Sequence, residues 1–218
     1  MKSKIVLGLY ILSCVGNLIA QIIPSEELNS YTKPILMPLL LFYVYTKSIG
    51  STTAKVLLLC VAILFSWFGD VALMYQANDL YFMLGIGLFL IAQIVYAIVL
   101  WKATYLRPFF KFKKLIPFLL YALVLFYILL PAGDFTLPII IYGLVILSMT
   151  IIAFKRKHYT PYDSYTIAFA GSVIFVLSDS ILAINAFKMA IPYAGFLIML
   201  TYCVAQYLLA EGILAHKE

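Results

Sequence analysis

This sequence predicts an all-α, polytopic membrane bundle of about eight transmembrane helices, and three observations point to it. Hydrophobic residues make up 65% of the chain and charged residues only 11%, with a mean hydropathy of +1.07, well outside the range of an ordinary soluble domain. Its apolar stretches run to about the roughly 20 residues that a helix needs to cross a bilayer, with short loops between them. Lys and Arg gather in alternate loops, as orientation signals do. With 218 residues divided in this way there is no room for a soluble domain, and residues 1–218 read as a single transmembrane domain.

Each element follows from its boundaries. The first helix, about 4–23, begins after MKSK; it ends in IIPSEE with no small-x-small cleavage site, so it reads as a retained helix and not a secretory signal. The second, 32–47, carries Pro34 as a first-turn residue and Pro38 as a kink. The third, 54–75, and the fourth, 79–101, are separated by a short polar turn, and the fourth stops at Lys102. The fifth, 115–131, is about 17 residues long and follows the basic, aromatic loop YLRPFFKFKKL, which would suit anionic headgroups. The sixth, 136–154, stops at KRK; the seventh, 161–187, starts at Pro161; the eighth covers 191–214.

Eight spans divide the cations thirteen to two. Lys2, Lys4, Lys47, Lys55, Lys102, Arg107, Lys111, Lys113, Lys114, Lys155, Arg156, Lys157 and Lys217 fall on one side, and Lys33 and Lys188 on the other, which makes both termini cytoplasmic in a multi-pass cell-membrane protein. The same placement explains the net charge of +6 without nucleic acid as a partner. Membrane lipids are the expected surroundings. GDVAL and SDSIL, in the third and seventh helices, and AQIVYA and AQYLLA, in the fourth and eighth, suggest a parallel repeat of four helices plus four with a shared site.

Two residues stand out chemically. A carboxylate near the centre of a spanning helix costs on the order of 2.5–3.5 kcal/mol on insertion scales, which makes an intramembrane Asp a functional candidate. Asp70 and Asp179 are the two strong cases; Glu26, Glu27, Asp79, Asp134, Asp163, Glu211 and Glu218 lie in loops or at helix ends. Counted from the predicted helix ends, the two lie roughly 8 and 12 Å below the outer boundary, on helices that run the same way. Ser66 sits one turn before Asp70, Gly69 permits close approach, and Ser178 precedes Asp179. Tyr165, Ser172 and Asp179 recur every seven residues, while Gln93 with Tyr96, and Tyr202 with Gln206, share helix faces. Such residues can complete a polar pocket, or can simply tie helices together with hydrogen bonds worth about 0.6–2 kcal/mol each.

Cys14, Cys60 and Cys203 lie in apolar segments and read as packing residues. His158 and His216 fall at the cytoplasmic surface, and neither looks catalytic. No His, Cys and carboxylate spacing suits a metal, and no phosphate-binding glycine loop or serine-hydrolase elbow is present, so no cofactor is expected.

TKPILMPLLL, FSWFGDVALM, GIGLFLIAQIVYAI, AGSVIFVLSDSILAINAF and TYCVAQYLLAEG resemble successive blocks of the YhhN family of lysoplasmalogenase-like membrane proteins, over about residues 33–212. One departure is Gln93, where the family often has histidine. The resemblance implies hydrolysis of the vinyl ether bond of a lysoplasmalogen, or a related lysophospholipid substrate, to a fatty aldehyde and a glycerophospho-head group. Protonating the β-carbon leaves an oxocarbenium-like cation that water attacks, work that paired carboxylates do in glycoside hydrolysis. On this basis Asp179, the deeper residue, is expected to be the general acid, and Asp70 to stabilise the cation and activate water. Tyr202 and Gln206 would orient the ether oxygen or the water, and Lys33 would meet the phosphate. A transporter or lipid carrier with proton-binding aspartates, and a structural protein whose aspartates only pair with tyrosines or serines, are the competing readings.

Overall fold

The computed structural model describes residues 2–23, 25–49, 53–104, 106–108 and 111–216, without the Lys2 side chain. Lys217 and Glu218 lie outside the described residues, as do Tyr105, Phe109 and Phe110 of the basic loop. Among those described there are eight α-helices and no strand: α1 (Lys2–Ile22), α2 (Glu26–Lys47), α3 (Ala54–Leu73), α4 (Asp79–Lys102), α5 (Ile116–Leu129), α6 (Thr136–Lys155), α7 (Tyr162–Phe187) and α8 (Ala194–Leu214). The all-helical class predicted by the sequence is therefore the observed one. Seven helical segments, one on each of these helices but α2, are long and apolar enough to cross a membrane, α5 reaching that length with the 3-10 turn Phe112–Leu115 that precedes it. The remaining one, α2, has the length but not the apolarity, because Glu26, Glu27, Asn29, Ser30 and Lys33 occupy its first two turns. Apolar side chains face outward in numbers that only lipid accommodates: in α5 just Leu129 is buried, and Tyr127 is 86% exposed.

The chain divides into two compact units, Met1–Tyr96 and Ala97–Glu218, with the division inside α4. In the first unit, α2 begins six residues before its predicted start. Ser25 caps it by accepting a hydrogen bond from the Leu28 amide at 3.2 Å, and Glu26 and Glu27 favour the positive helix start. Pro34 therefore sits inside the helix and not in its first turn. Pro38 has no N–H to offer the Pro34 carbonyl, and the Trp67 indole N–H of α3 fills that need at 2.8 Å. Pro38 thus leaves free the acceptor that fastens α3 to α2. An amide cluster joins α1 to α2: Asn17 Nδ2 donates to Asn29 Oδ1 and Thr32 Oγ1, each at 3.0 Å, and Gln21 Nε2 donates to the same Asn29 oxygen at 3.0 Å.

Two glycines set the approach of α3 to α4. A Cβ on Gly69 would stand 2.7 Å from the Phe89 ring, and one on Gly85 would stand 2.6 Å from Leu73 Cδ2. These contacts fix an antiparallel register, Leu73 against Gly85 and Gly69 against Phe89.

In the second unit, α7 and α8 are pressed together even more closely. A Cβ on Gly212 would meet the Ala168 backbone nitrogen at 2.3 Å, and one on Gly171 would meet the Leu209 nitrogen at 2.8 Å. A buried cation locks their cytoplasmic-predicted ends. Arg156, 1% exposed, donates from Nη2 to Ser164 Oγ at 2.7 Å, and that hydroxyl donates to the Gly212 carbonyl at 2.6 Å. Next to it, Lys155 donates to the Thr104 carbonyl at 2.9 Å and stands 4.0 Å from the centre of the Trp101 ring. Both count among the loop cations that set the predicted orientation, and both are buried. Replacing Arg156 by Met removes charged hydrogen bonds from a buried site and lowers stability by about 2 kcal/mol. Thermal unfolding in detergent checks this against Lys157→Ala, an exposed neighbour that leaves the midpoint unchanged.

Candidate functional site

In the first unit, Asp70 occupies the last turn of α3, whose helix ends at Leu73, two residues before the predicted boundary. It is 3% exposed. Ser66, one turn earlier, is fully buried and donates its hydroxyl proton to the Ala62 carbonyl at 3.0 Å. Carried along the α3–α4 register, Gln93 comes level with Phe65 and Ser66, and Tyr96 with Ala62. Both Gln93 and Tyr96 are fully buried. Lys33, half-buried in α2, immediately precedes the residue whose carbonyl holds Trp67, one turn back from Asp70. Along α3, the predicted residues of this unit therefore fall between the level of Ala62 and that of Asp70.

In the second unit, Asp179 is half-buried in α7, two turns before the end of that helix. Its Oδ2 accepts a hydrogen bond from the Tyr142 hydroxyl of α6 at 2.5 Å. Ser178, next to Asp179 in sequence, donates to the Ile198 carbonyl of α8 at 3.0 Å, and Ser172, two turns earlier in α7, donates to the Phe169 carbonyl at 2.7 Å. Three serines predicted for the pocket thus direct their hydroxyl protons to helix carbonyls, and in Ser178 that bond joins two helices. Tyr202, 3% exposed, packs edge-on against Phe175 at 5.7 Å, and the α7–α8 register brings it level with Ser178. Gln206, fully buried, lies one turn farther along α8.

Two tyrosines were missed in the sequence. Tyr142 engages Asp179, and the Tyr121 hydroxyl of α5 shares a hydrogen bond of 2.7 Å with Ser180 Oγ. The available signal was a phenol inside each apolar run, IIIYGLVIL and FLLYALVLFYIL, because a buried tyrosine hydroxyl usually needs a hydrogen-bond partner.

Each unit thus places one carboxyl on a membrane helix: Asp70, 3% exposed, in the first, and Asp179, which accepts from Tyr142, in the second. Comparison with known proteins agrees with this setting. The chain is 30% identical over 163 residues to the human lysoplasmalogenase TMEM86A, a match that covers 72% of this chain and 65% of that protein. No solved structure matches the chain. The model of the YhhN family matches residues 28–213, a span that holds both carboxylates and Lys33, Gln93, Tyr202 and Gln206. The chain belongs to the YhhN family.

Proposed function

We infer that this protein is a membrane hydrolase that cleaves the vinyl ether bond of a lysoplasmalogen, or of a related lysophospholipid, to a fatty aldehyde and a glycerophospho-head group. The observation that carries this reading is the enclosed carboxyl of Asp70 within a span matched by the family. The similarity to a lysoplasmalogenase supports the substrate class.

The chemistry asks for an acid and an anion. A proton passes from the acid to the β-carbon, the ether oxygen's lone pair forms the oxocarbenium bond to the α-carbon, and water adds to that α-carbon and loses a proton. The hemiacetal hydroxyl then gives up its proton as the bond to the glycerol oxygen breaks, and that oxygen takes up a proton as the aldehyde leaves. An enclosed carboxyl suits delivery of a proton to carbon, because no water competes for it. A carboxylate steadied by a phenol O–H suits the anion beside a developing cation. These observations favour Asp70 as the acid and Asp179 as the stabilising carboxylate and base for water, the reverse of the allocation drawn from depth alone. Lys33 is assigned to the phosphate, and Tyr202 and Gln206 to the water.

Purified protein in detergent, given lysoplasmalogen and the matching acyl lysophospholipid, is expected to release aldehyde from the first alone. Lipid flux into liposomes with no aldehyde would instead favour a carrier. The same reading places both termini on the cytoplasmic side of the cell membrane and requires α2 to cross despite its polar first turns. Reporter fusions at the two ends are expected to give cytoplasmic signals from both; signals on opposite sides would remove α2 from the spans.

A further inference from the structure

Gln93 is 0% exposed, and neither its Oε1 nor its Nε2 has a hydrogen-bond partner among the described residues. A primary amide offers an acceptor and two donors, and burying both functions unpaired is costly enough that native proteins keep few such groups. Its neighbours do not answer it. Ser66, on the same level, gives its proton to Ala62. On the other side, one turn along α4, Phe89 presents a ring packed on Gly69. The amide is therefore held at a fixed level about one helical turn from Asp70, with its hydrogen-bonding capacity directed to something other than this unit's side chains.

A lysophospholipid has a group of matching chemistry next to the bond that breaks. Its glycerol carries a free hydroxyl on the central carbon, flanked by oxygens on both adjacent carbons that can only accept. We propose that Gln93 reads this hydroxyl: Oε1 accepts its proton while Nε2–H donates to an oxygen on the neighbouring carbon, so that the amide bridges two vicinal oxygens. The assignment rests on the hydrolase reading above for its substrate class. It makes Gln93 the residue that selects single-chain lipids. A lipid acylated at the central oxygen has no proton to give and leaves Oε1 buried and unpaired, and a site built to pair a hydroxyl rejects an analogue that lacks it far more strongly than an apolar pocket rejects a small change in size.

The test uses the full chain in detergent and two probes that cannot be hydrolysed, a saturated 1-O-alkyl lysophosphatidylcholine and its 2-O-methyl derivative, with Kd measured by calorimetry. Wild-type protein is expected to bind the hydroxyl lipid at least roughly 100-fold more tightly than the methyl ether. Gln93→Met is expected to bind both with the affinity that wild type has for the methyl ether, and Gln93→Glu, which keeps an acceptor, to recover part of the ratio. Equal affinities in wild type, no binding of either probe, or an unchanged ratio in Gln93→Met would each overturn the assignment. Because neither probe reacts, the outcome separates from that of the aldehyde assay. Discrimination without aldehyde release defeats the hydrolase reading alone, and aldehyde release without discrimination defeats only the role of Gln93.

Discussion

Replacing Asp70 by asparagine lowers the rate of aldehyde release by roughly 10³-fold, within the usual span for losing a general acid. Asparagine keeps the shape of the side chain and a hydrogen-bonding capacity in its place, so the last turn of α3 and its close contact with α4 through Gly69 are retained. What it cannot do is hand a proton to carbon. The thermal midpoint in detergent should then stay near that of wild type while kcat collapses. Asp79→Asn is the matching control, since Asp79 is exposed at the start of α4 and has no part in the chemistry. A carboxyl that only fastened helices would give the opposite pattern, with the midpoint falling and residual activity following the folded fraction. Full activity in Asp70→Asn would end the case for this residue as the acid.

That Asp70 and Asp179 could be picked out from the sequence has a plain cause: a carboxylate inside an apolar run of spanning length is an energetic anomaly visible without coordinates. Helix positions were legible for a related reason, since the length of an apolar run is set by bilayer thickness and not by tertiary packing. The start of α2 lies six residues before the predicted one because its first turns are polar, and hydropathy assigns them to a loop. The Ser25 cap followed by Glu26 and Glu27 was the better guide. Lys155 and Arg156 illustrate a different limit. Their charges follow the orientation rule, which concerns side of membrane, whereas burial is decided by packing, of Lys155 against Trp101 and Thr104, the latter 51 residues earlier, and of Arg156 against Ser164 on the next helix. The same holds for Tyr142, whose partner is 37 residues away on the next helix. Polarity alone marked Gln93 as a candidate, but only packing shows that its amide finds no partner among its neighbours.

Asp179→Asn is the second large effect, with an expected loss of roughly 10²–10³-fold in kcat from removing a preorganised negative charge beside the cation. Tyr142 supplies the means to tell that role from a structural one. Its hydroxyl donates to Asp179 Oδ2 at 2.5 Å, and Tyr142→Phe deletes that bond while keeping the ring. As a positioning residue it should cost about tenfold in kcat, equivalent to about 1.4 kcal/mol, with KM and the thermal midpoint close to wild type. The decisive comparison is the double variant. If Tyr142 acts through Asp179, then adding Tyr142→Phe to Asp179→Asn lowers kcat no further, because the group being positioned is already gone. If the two losses multiply, Tyr142 serves something else and the hydrogen bond between them is only a tie between α6 and α7. Kinetics on the single and double variants, at saturating lipid and matched detergent, decide between the two.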